Sequence, residues 1–588
     1  MKRLTMMVCA VLVLAFMATA KDFYVYPDVR DGLTGPQQMT NCLHKMDGMT
    51  VDTIHVMPGT YDFTDIVMGD GTQHLTRSDF PISEFKIVGE TAGHWDDQIV
   101  FTASDGLKMM NFMHQGGWTG WQGAYPTIAN ITFLNCSAET AGSAISVAAW
   151  NKMTTKQKWP IITNCVFKSC RVTGANANGG ALSGGVKAVD CKFVDCSAKG
   201  EGGAIYGGTA CDSYFEGNSA VKGGAISFGT ELLTPFPIVS ESAFVGNSTT
   251  NGNGGAIYAP SAGCLVTNCS FVANAAVRES SASYPFGGAV AGLDGAMVTV
   301  MHCAFTNNVG GWNAGGVAYG VVSDSTFSEN HSPAAGGALF KCTATHCSFS
   351  GDYSEIDYQK PGGAAECALT DCDVACSIIA SSAMRCTFHD INATRDLAVF
   401  YNSNWVTNSL ITRCGANLRG IIYSYNASDV ASEFVNCTFA DNTPDWYWGV
   451  FTTRPENKDN PPVVRAINCA FFGTVDSQGH KKDIWGRYMR NVYLDHCAYG
   501  VAAAPAEDFP NEWTNVDDTS FQCSDPKFAG NGDYQLTRKS PLCKKGALLG
   551  WTANDTDLAG SPRLRDGMID IGCYECWLPI PGMMLLVR

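Results

Sequence analysis

Two short signatures recur through the middle of the chain, and they restrict the possible fold more than any other feature. The first is Gly-Gly-Ala followed by an aliphatic residue, as in 179–182 and 254–257. The second is a signature of seven residues. It begins with a polar residue, followed by Cys or Ser, any residue, and Phe, and it ends with any two residues and then Asn or Cys. Its clear copies are 164–170, 190–196, 212–218, 241–247, 268–274, 302–308, 324–330 and 436–442. Repetition at a short period predicts a solenoid, in which each repeat packs only on its neighbours.

The spacing of the signature Phe residues gives the length of one repeat. Three of the intervals are 22 residues and the others are 27 to 34, measured along the series Phe193, Phe215, Phe244, Phe271, Phe305, Phe327 and Phe349. A fixed minimum with a variable excess indicates one structural coil with loops inserted at its turns. Such a coil can form three short strands and three turns, which predicts an all-β, single-stranded, right-handed parallel β-helix of about 13 rungs. The 62 Gly residues and the period-two alternation exclude an α-solenoid.

Each signature residue has a structural role in such a coil. Phe fills the interior and stacks on the Phe of the next rung, about 4.8 Å away. Asn in the following turn can adopt left-handed geometry and bond the neighbouring backbone, so its repetition makes an amide ladder. The predicted interior ladder consists of Cys165, Cys191, Cys269, Cys303, Cys347, Phe167, Phe193, Phe271, Phe305, Asn218, Asn247, Asn274, Asn308 and Asn330.

The 25 Cys residues would normally indicate disulfides in an exported protein. Ten of them lie two residues before the Phe position or its equivalent, at 165, 191, 269, 303, 347, 372, 386, 437, 469 and 497. Residues two apart on a strand face the same side, and Ser replaces Cys at 213, 242 and 325. The pattern therefore favours buried thiols that act as small apolar groups over a disulfide framework.

The first 20 residues have the pattern of a secretory signal peptide. Lys2 and Arg3 form a positive start, residues 4–17 are apolar, and 18–20 are small residues, which predicts cleavage near Ala20. We therefore expect a secreted or cell-surface bacterial protein whose mature chain has no transmembrane segment. The net charge of −16 argues against a nucleic-acid partner.

The chain after the signal peptide divides into three parts according to how regular the repeats are. Residues 21–125 are predicted to form an N-terminal cap and the first rungs, with a short amphipathic helix at 36–46 that covers the open end of the coil. Residues 126–500 are predicted to form the β-helix repeat array. Residues 501–588 are predicted to form the C-terminal rungs and a closing element.

The sequence lacks the contiguous catalytic patterns of polysaccharide-cleaving β-helices. Neither Gly-His-Gly nor Arg-Ile-Lys occurs, and the pairs at 96–97 and 517–518 (both Asp-Asp) lie in polar stretches outside the regular array. The segment 496–499 (His-Cys-Ala-Tyr) is another copy of the repeat rather than a lyase motif. The catalytic residues, if there are any, stay unknown at this point, and we predict no cofactor.

Cys573 and Cys576 have the spacing of a zinc half-site or a redox pair. Cys523 and Cys543 could complete a four-ligand metal site. A disulfide between Cys576 and one of these two residues, or unpaired buried thiols, are the alternatives. The spacing alone leaves the three interpretations open.

Two aromatic clusters interrupt the repeats and are candidates for ligand binding. Trp118, Trp121 and Tyr125 lie in a Gly-rich insertion, and Trp446, Tyr447 and Trp448 lie in a loop before two Pro residues. Exposed aromatic rings on the loops of a rigid scaffold often stack on carbohydrate or grip proteins. Aromatic residues can equally cover the core beneath a long loop.

The alternation of the two signatures resembles the repeats of chlamydial polymorphic membrane proteins, a family of surface adhesins with β-helical passenger domains. The matching positions pair Phe with the Asn three residues later, at 215 and 218, 244 and 247, 271 and 274, 305 and 308, and 327 and 330. The turn at 58–61 (Pro-Gly-Thr-Tyr) and the end at 569–575 (IDIGCYE) resemble large bacterial secreted proteins with pectin-lyase-like β-helices. These resemblances imply a β-helical fold and export, and they leave the ligand open.

The sequence as a whole favours a secreted or cell-surface protein with a non-catalytic recognition or adhesion role. The expected partner is an extracellular polysaccharide or surface glycan. A polysaccharide lyase or glycoside hydrolase with an unrecognised site is the first alternative, because active sites on a β-helix are assembled across rungs and need not be contiguous in sequence. A purely structural surface protein is the second alternative. The oligomeric state is not indicated.

Overall fold

The structure is a computed structural model that describes residues 20–46, 51–68, 73–77, 84–91, 93–95, 98–114, 125–149, 159–229, 237–261, 263–281, 283–354, 362–391, 398–402, 404–416, 420–424, 432–445, 449–453, 462–487, 491–502 and 515–576. The chain forms two compact units. Unit 1 comprises residues 1–280 and 290–298, and unit 2 comprises residues 281–289 and 299–588. Short β-strands make up most of the regular structure in both units.

One α-helix, Gly35–Lys45, precedes the regular coils of unit 1. Its start is fixed by a capping box, in which the Thr34 hydroxyl accepts from Gln37 N and the Gln37 side chain accepts from Thr34 N. Pro36 lies in the first turn, where its missing N–H costs no hydrogen bond. The buried face includes Met39 and Leu43, so the helix covers apolar surface, and the predicted N-terminal helical cap is confirmed.

Three parallel sheets form the coils of unit 1, and we name them A, B and C. Sheet A contains Asp22–Val25, Asp52–Val56, Glu84–Gly89, Tyr125–Ala129, Ile161–Thr163, Lys187–Val189, Thr209–Cys211, Ile238–Ser240 and Leu265–Thr267. Sheet B contains Gly59–Asp62, Ile99–Thr102, Thr132–Leu134, Val166–Lys168, Lys192–Val194, Tyr214–Glu216, Ala243–Val245 and Ser270–Val272. Sheet C contains Gln73–Arg77, Lys108–His114, Ile145–Ala149, Leu182–Ser183, Ile205–Tyr206, Ile226–Ser227, Ile257–Tyr258 and Val290–Ala291. Short strands follow sheet B at Ser137–Ala138, Arg171–Val172, Ser219–Ala220, Ser248–Thr250 and Ala275–Val277.

Unit 2 has strands of the same three kinds, and the strand Val298–Met301 spans the boundary between the units. Its sheet A strands are Gly320–Ser323, Thr343–Thr345, Ala368–Thr370, Ser382–Met384, Trp405–Thr407, Ser432–Val435, Val464–Ile467, Val492–Asp495 and Asn515–Val516. Its sheet B strands are Ala304–Thr306, Thr326–Ser328, Ser348–Ser350, Asp373–Ala375, Thr387–His389, Leu410–Thr412, Thr438–Ala440, Ala470–Phe472, Ala498–Tyr499 and Phe521–Gln522. Its sheet C strands are Val317–Ala318, Leu339–Phe340, Ala364–Ala365, Ile378–Ile379, Phe400–Tyr401, Ile422–Ser424, Phe451–Thr453 and Gly486–Arg487. Short strands occur at His331–Ser332, Tyr353–Ser354, Gly415–Ala416 and Thr443–Pro444, and Phe528–Gly530 pairs antiparallel with Asp533–Leu536.

In most rungs the strands of sheets A and B meet at a two-residue corner. The first corner residue has left-handed backbone and lies on the outside, such as Asp190 (φ 55°) in unit 1 and His346 (φ 52°) in unit 2. Asn, Asp and His are the residues besides Gly that adopt this backbone most readily. The second corner residue is the buried Cys or Ser of the signature, such as Cys191 and Cys347. The signature Cys is therefore a corner residue and precedes the strand that carries the Phe.

Cys and Ser interchange at this corner because they make the same hydrogen bond. The Cys165 thiol donates to the carbonyl of Thr163 at 3.3 Å, and the Ser213 hydroxyl donates to the carbonyl of Cys211 at 2.8 Å. No cysteine of the described residues forms a disulfide. The corner thiols are small buried groups with a local hydrogen bond.

The signature Phe residues stack through the interior of each unit. In unit 1 the ring centroids of Phe133, Phe167, Phe193, Phe215, Phe244 and Phe271 follow one another at 4.7 to 4.9 Å. In unit 2, Phe305, Phe327 and Phe349 follow one another at 4.8 and 5.0 Å. The spacing is that of hydrogen-bonded strands, because in-register pairing places identical positions above each other.

The signature Asn residues form a buried ladder at the corner after sheet B. The backbone N–H and the side-chain amide of Asn218 both donate to Asn247 Oδ1, at 3.0 and 2.9 Å. The Asn218 amide also donates to the carbonyl of Phe193 in the preceding rung. Asn247 repeats these contacts with Asn274, so each amide satisfies buried backbone groups on both sides.

Sheet B contains eight strands in unit 1 and ten in unit 2, so the estimate of about 13 rungs is too low. A coil can be shorter than the expected minimum, since Cys367 and Ser381 occupy the same corner in consecutive rungs 14 residues apart. Val374 and Ile411 also take the Phe position in two rungs, which removes the signature there. The predicted parallel β-helix itself is confirmed. Among the described residues, no helix is long and apolar enough to cross a membrane.

Candidate functional site

The outward face of sheet A in unit 2 exposes large apolar side chains. They are Val321, Met384, Trp405 and Tyr493, with exposed fractions between 38% and 46%. Successive residues of a strand point alternately to the core and to solvent, so all four share the outer face. Exposed aromatic and aliphatic groups on one rigid surface mark an interaction site when polar groups accompany them.

Polar groups do accompany the two aromatic rings, in a single row. Strand pairing places Trp405 beside Glu433, Glu433 beside Arg465, and Arg465 beside Tyr493. We call these four residues the aromatic row. Neighbouring strands lie about 4.8 Å apart, so the row spans about 14 Å across four consecutive rungs. Trp405, Arg465 and Tyr493 are exposed and Glu433 is half-buried, which makes the row a surface with two rings and two opposite charges between them.

A chain of charged side chains follows the corner between sheets A and B in the same unit. His346 Nδ1 lies 3.7 Å from Asp324 Oδ1, and His346 Nε2 lies 3.9 Å from Asp371 Oδ2. The Arg385 guanidinium donates to both oxygens of Asp371 at 2.7 Å. These hydrogen bonds raise the pKa of Arg385 further. The corner position thus aligns His, Asp and Arg on successive rungs.

A second charged chain lies on the outward face of sheet B and the corner that follows it. The His389 ring bonds Asp373 through Nε2 and Asp390 through Nδ1, both at 2.8 Å. Arg413 donates to both oxygens of Asp390 at 2.8 Å. The guanidinium beside it holds the pKa of Asp390 well below its usual range.

The groups in these two chains are engaged with one another. Both nitrogens of His389 bond carboxylates, and both oxygens of Asp371 and Asp390 accept from arginine. A general base needs a nitrogen or oxygen free to accept a proton from substrate. These contacts cross-link neighbouring rungs, and proton transfer by His389, Asp371 or Asp390 would require them to break first. His346 differs, because it lies 3.7 and 3.9 Å from its two carboxylates, beyond hydrogen-bond distance.

The C-terminal segment of unit 2, residues 523–576, covers the outer face of the sheet B strands that follow the second charged chain. Outer residues Leu410 and Ala440 pack with Tyr534 and Cys573, and Ala470 and Phe472 pack with Leu542 and Ile571. Three corner residues hold the segment: the amide of Asn408 donates to the carbonyl of Thr556, that of Asn436 to the carbonyl of Asp570, and that of Asn468 to the carbonyl of Ala547. These three Asn residues, which have left-handed backbone at the corner, therefore also hold the C-terminal segment on the coil. We call their three hydrogen bonds the Asn clamps.

A buried ionic cluster organises the C-terminal segment internally. Arg563 is fully buried, and its Nη1 lies 3.1 Å from Glu575 Oε1. Asp557 Oδ2 accepts from Glu575 N at 2.7 Å, and the two carboxylate oxygens of Asp570 accept from Lys544 N and Cys576 N. Burial raises the pKa of Glu575 to about 8, although the Arg563 charge opposes that shift. The segment therefore depends on one cation placed among three carboxylates.

The C-terminal cysteines are thiols within this segment. Cys573 and Cys576 are buried, and Cys523 and Cys543 are partly buried beside the same apolar cluster as Cys576. Among the residues the structure describes, one group of three His, Cys, Asp or Glu side chains is close enough to hold an ion. It consists of the partly exposed Cys211 and the exposed Asp212 and Glu241. Cys573 and Cys576 are not part of that group, and the metal-site interpretation of the pair stays a prediction.

The two aromatic clusters predicted from sequence are not placed by the structure. Trp118, Trp121, Trp446, Tyr447 and Trp448 lie outside the described residues. Tyr125 begins the sheet A strand Tyr125–Ala129. Both clusters stay predictions.

No protein family and no curated protein matches the chain. The chain is similar in structure to a mannuronic acid specific polysaccharide family 6 lyase from human gut microbiota, with 11% identity and a TM-score of 0.24, over 86% of this chain and 92% of that one. It is also similar to tailspike protein 3 of bacteriophage CBA120, with 8% identity and a TM-score of 0.28, over 87% and 63% of the two chains. A third similar structure is PfbA, a surface adhesin of Streptococcus pneumoniae, with 11% identity and a TM-score of 0.21, over 80% and 95%. Likenesses at this level carry no argument about activity.

Sequence reasoning missed the aromatic row and both charged chains. Trp405 and Tyr493 are separated by 88 residues and carry no motif of their own. Their common feature is a position in the repeat, since each stands three residues before a left-handed corner residue, Asn408 or His496. Aligning the repeats on that corner and comparing the outward positions would have brought the four residues of the row together.

Proposed function

We propose that the protein is an exported recognition protein that binds polysaccharide, with the aromatic row of unit 2 as its binding face. The observation that supports this is the placement of Trp405 and Tyr493, both more than 40% exposed, at the two ends of an in-register row. Two exposed rings on one rigid face can contact a partner without rearrangement of the sheet. A flat ring face suits the C–H face of a pyranose, and flat rings on a rigid sheet lose little entropy on binding.

The charged residues between the rings fit the same ligand. Glu433 can accept from sugar hydroxyls and Arg465 can donate to them, so the row offers stacking at its ends and hydrogen bonds in its middle. A sheet presents these groups at a regular spacing, and a polymer with a regular repeat can therefore meet several of them at once. The clusters Trp446, Tyr447 and Trp448, and Trp118, Trp121 and Tyr125, belong to this proposal as further aromatic contacts.

Export and surface display belong to the proposal as well. The signal pattern predicts cleavage near Ala20, and the repeats resemble those of the chlamydial polymorphic membrane proteins. A role in adhesion would follow if the bound polysaccharide were carried by another surface. We prefer binding without cleavage over the lyase or hydrolase alternative, because His389, Asp371 and Asp390 of the two charged chains are already paired.

The test replaces both rings and measures binding and cleavage on the same polysaccharides. Trp405→Ala combined with Tyr493→Ala removes two contacts of about 0.5–1.5 kcal/mol each, so retention in affinity gel electrophoresis should weaken at least about fivefold. Tyr284→Ala is the control, since Tyr284 is also an exposed tyrosine of unit 2, at 52%, and lies outside sheet A. Release of new chain ends by the unchanged protein would favour a lyase or hydrolase, and retention of no polysaccharide would favour a structural protein.

A further inference from the structure

One stretch of the C-terminal segment, residues 547–556, runs beside the aromatic row, and we call it the strap. The Asn clamps attach its two ends to the corners at Asn468 and Asn408. The strands that lead into these corners carry Arg465 and Trp405, so the strap and the row cross the same three rungs. Each corner lies three residues after its member of the row, which is about 10 Å along a strand. The strap therefore forms a raised border along one side of the row.

The strap has a fixed position on the coil. The backbone N–H of Ala547 donates to Asn468 Oδ1 at 2.7 Å, and its carbonyl accepts from the Asn468 amide at 2.9 Å. Trp551 Nε1 donates to Asn436 Oδ1 at 3.1 Å, and the Arg563 guanidinium lies 6.0 Å from the centre of the Trp551 ring. A segment held in this way can contact a ligand without first being ordered, which lowers the cost of binding.

Two adjacent leucines of the strap are exposed. Leu548 is 58% exposed and Leu549 is 43% exposed. Two tight turns keep them at the surface, since Leu549 N donates to the carbonyl of Ala547 and Gly550 N donates to the carbonyl of Leu548. Gly550 has left-handed backbone (φ 82°), which a residue with a side chain rarely adopts. Adjoining exposed apolar groups on a rigid surface mark an interaction site.

The floor between the strap and the row is apolar as well. Val435 and Ile467 are paired in register, and each stands two residues after a charged member of the row, on the same outer face. Both are half-buried. With Leu548 and Leu549 they make up an apolar flank on one side of the row.

The apolar flank can distinguish between the substituents of a sugar chain. Aliphatic side chains offer no hydrogen bond, so a sugar hydroxyl placed against them loses its water partners without replacement. The methyl group of an acetyl ester gains from the same contact, because its apolar surface leaves water. Acetyl esters project sideways from a polysaccharide, so those of a chain lying on the row would reach the flank.

We propose that the polysaccharide on the aromatic row is an acetylated one, whose acetyl methyl groups contact Leu548 and Leu549. This inference rests on the proposed function, since it takes the row as the place where the sugar chain lies. The row supplies stacking and hydrogen bonds to the sugar rings, and the flank supplies the preference for the substituent.

The test compares each polymer with and without its esters. Acetylated glucomannan and acetylated xylan are the probes, each beside the same polymer after alkaline removal of the acetyl groups. Both forms are neutral, so the charges of Glu433 and Arg465 do not bias the comparison. In affinity gel electrophoresis the unchanged protein should be retained at least about threefold more strongly by an acetylated polymer, the ratio expected from burial of one methyl group.

Exposed positions supply the variants, so all of them should keep the β circular-dichroism spectrum. Leu548→Ser with Leu549→Ser should remove the preference and leave retention by the deacetylated polymer unchanged. Leu548→Met with Leu549→Met keeps the flank apolar and should keep the preference. Val272→Ser with Val277→Ser is the matched control, since these are two exposed apolar residues of unit 1, and it should behave like the unchanged protein.

The outcomes separate this inference from the proposed function. Equal retention by the two forms of a polymer, or a preference that survives the double Ser variant at 548 and 549, would overturn the inference alone. Trp405→Ala with Tyr493→Ala should weaken retention by both forms alike. Retention by neither polymer in either form would overturn the proposed function and the inference together.

Discussion

Asn330 and Asp352 meet at a single carboxylate oxygen. The backbone N–H and the side-chain amide of Asn330 both donate to Asp352 Oδ1, each at 2.8 Å. Asp352 occupies the place where the ladder would otherwise continue with Asn, and its other oxygen is buried without a hydrogen-bond partner among the described residues. An amide ladder therefore ends on a carboxyl group that is 2% exposed.

Replacing Asp352 by Asn should stabilise unit 2 above neutral pH. Burial raises the pKa of Asp352 to about 7, although the bonds from Asn330 oppose that shift. The folded state therefore keeps a proton that the unfolded chain releases near pH 4, and the free energy of unfolding falls as the pH rises from about 4 to about 7. Asp352→Asn stays neutral at every pH, and its amide can donate to the carbonyl of Phe327, as the Asn330 amide donates to that of Phe305. It should therefore gain about 1 kcal/mol or more at pH 8.

Urea unfolding of both proteins at pH 5 and pH 8 measures this effect. The advantage of Asp352→Asn should be small at pH 5 and clear at pH 8. Asp518→Asn, at an exposed position, is the control and should change neither value. An equal or lower stability of Asp352→Asn at pH 8 would mean that the carboxylate is better accommodated than its surroundings indicate.

The corner thiols should resist both reductant and alkylation. Cys347 is 2% exposed, and its thiol donates to the carbonyl of Thr345, just as the Ser325 hydroxyl donates to the carbonyl of Ser323. Cys347→Ser should therefore fold and lose no more than about 1.5 kcal/mol. Reductant should leave the β circular-dichroism spectrum unchanged.

Mass spectrometry of the native protein after alkylation checks the burial of the thiols. Among the described cysteines, modification without denaturant should be confined to the three that are partly exposed, Cys211, Cys523 and Cys543. Collapse of the spectrum on mild reduction, or uniform alkylation, would show that disulfides or mobile corners contribute to the fold.

The coil could be predicted from sequence because its determinants are local and repeated. A Phe that stacks on its copy, an Asn that bonds the next Asn, and a Cys or Ser at each corner all recur at a readable spacing. The helical cap was equally readable from the amphipathic pattern of residues 36–46, and the structure adds the capping box of Thr34 and Gln37. Rungs that replace Phe with Val374 or Ile411, or shorten to 14 residues, escaped the pattern.

The candidate site could not be predicted in this way, because its residues vary from rung to rung. Outward positions are under no packing constraint, so Trp405, Glu433 and Arg465 share a register but no residue type. The placement of the C-terminal segment depends on clamps such as Asn436 to Asp570, which are 134 residues apart in the sequence. Such contacts become visible only when the coil brings distant turns together.

Removing one ring from the Phe stack should damage unit 1 locally. Phe215 is fully buried, with its ring centroid 4.8 Å from that of Phe193 and 4.7 Å from that of Phe244. Phe215→Ala leaves a cavity that costs about 3–5 kcal/mol. Each rung contacts only its neighbours, so hydrogen exchange should accelerate in the rungs around Phe215 and remain slow elsewhere. Tyr214→Ala is the control, since Tyr214 is the preceding residue and lies on the outer face. Uniform acceleration along the chain would contradict the solenoid interpretation.

Replacing Arg563 should lower the stability of the C-terminal segment, and the loss of stability should be larger at high pH. Arg563→Met keeps the length of the side chain but leaves Glu575 and Asp557 buried without their cation. Breaking a buried pair in this way costs about 3–5 kcal/mol. The pKa of Glu575, already raised by burial to about 8, should rise further without the guanidinium. A folded-state pKa above the unfolded value means that stability declines as the pH rises toward that pKa, so the decline should extend past pH 8 in the variant.

Limited proteolysis at pH 6 and pH 9, followed by intact-mass analysis, should therefore show cleavage within 521–576 that is faster in Arg563→Met and fastest at pH 9. Lys539→Met removes an exposed cation of the same segment and should behave like the unchanged protein. Equal cleavage of the two variants at both pH values would show that the segment is held by its apolar contacts and its Asn clamps alone.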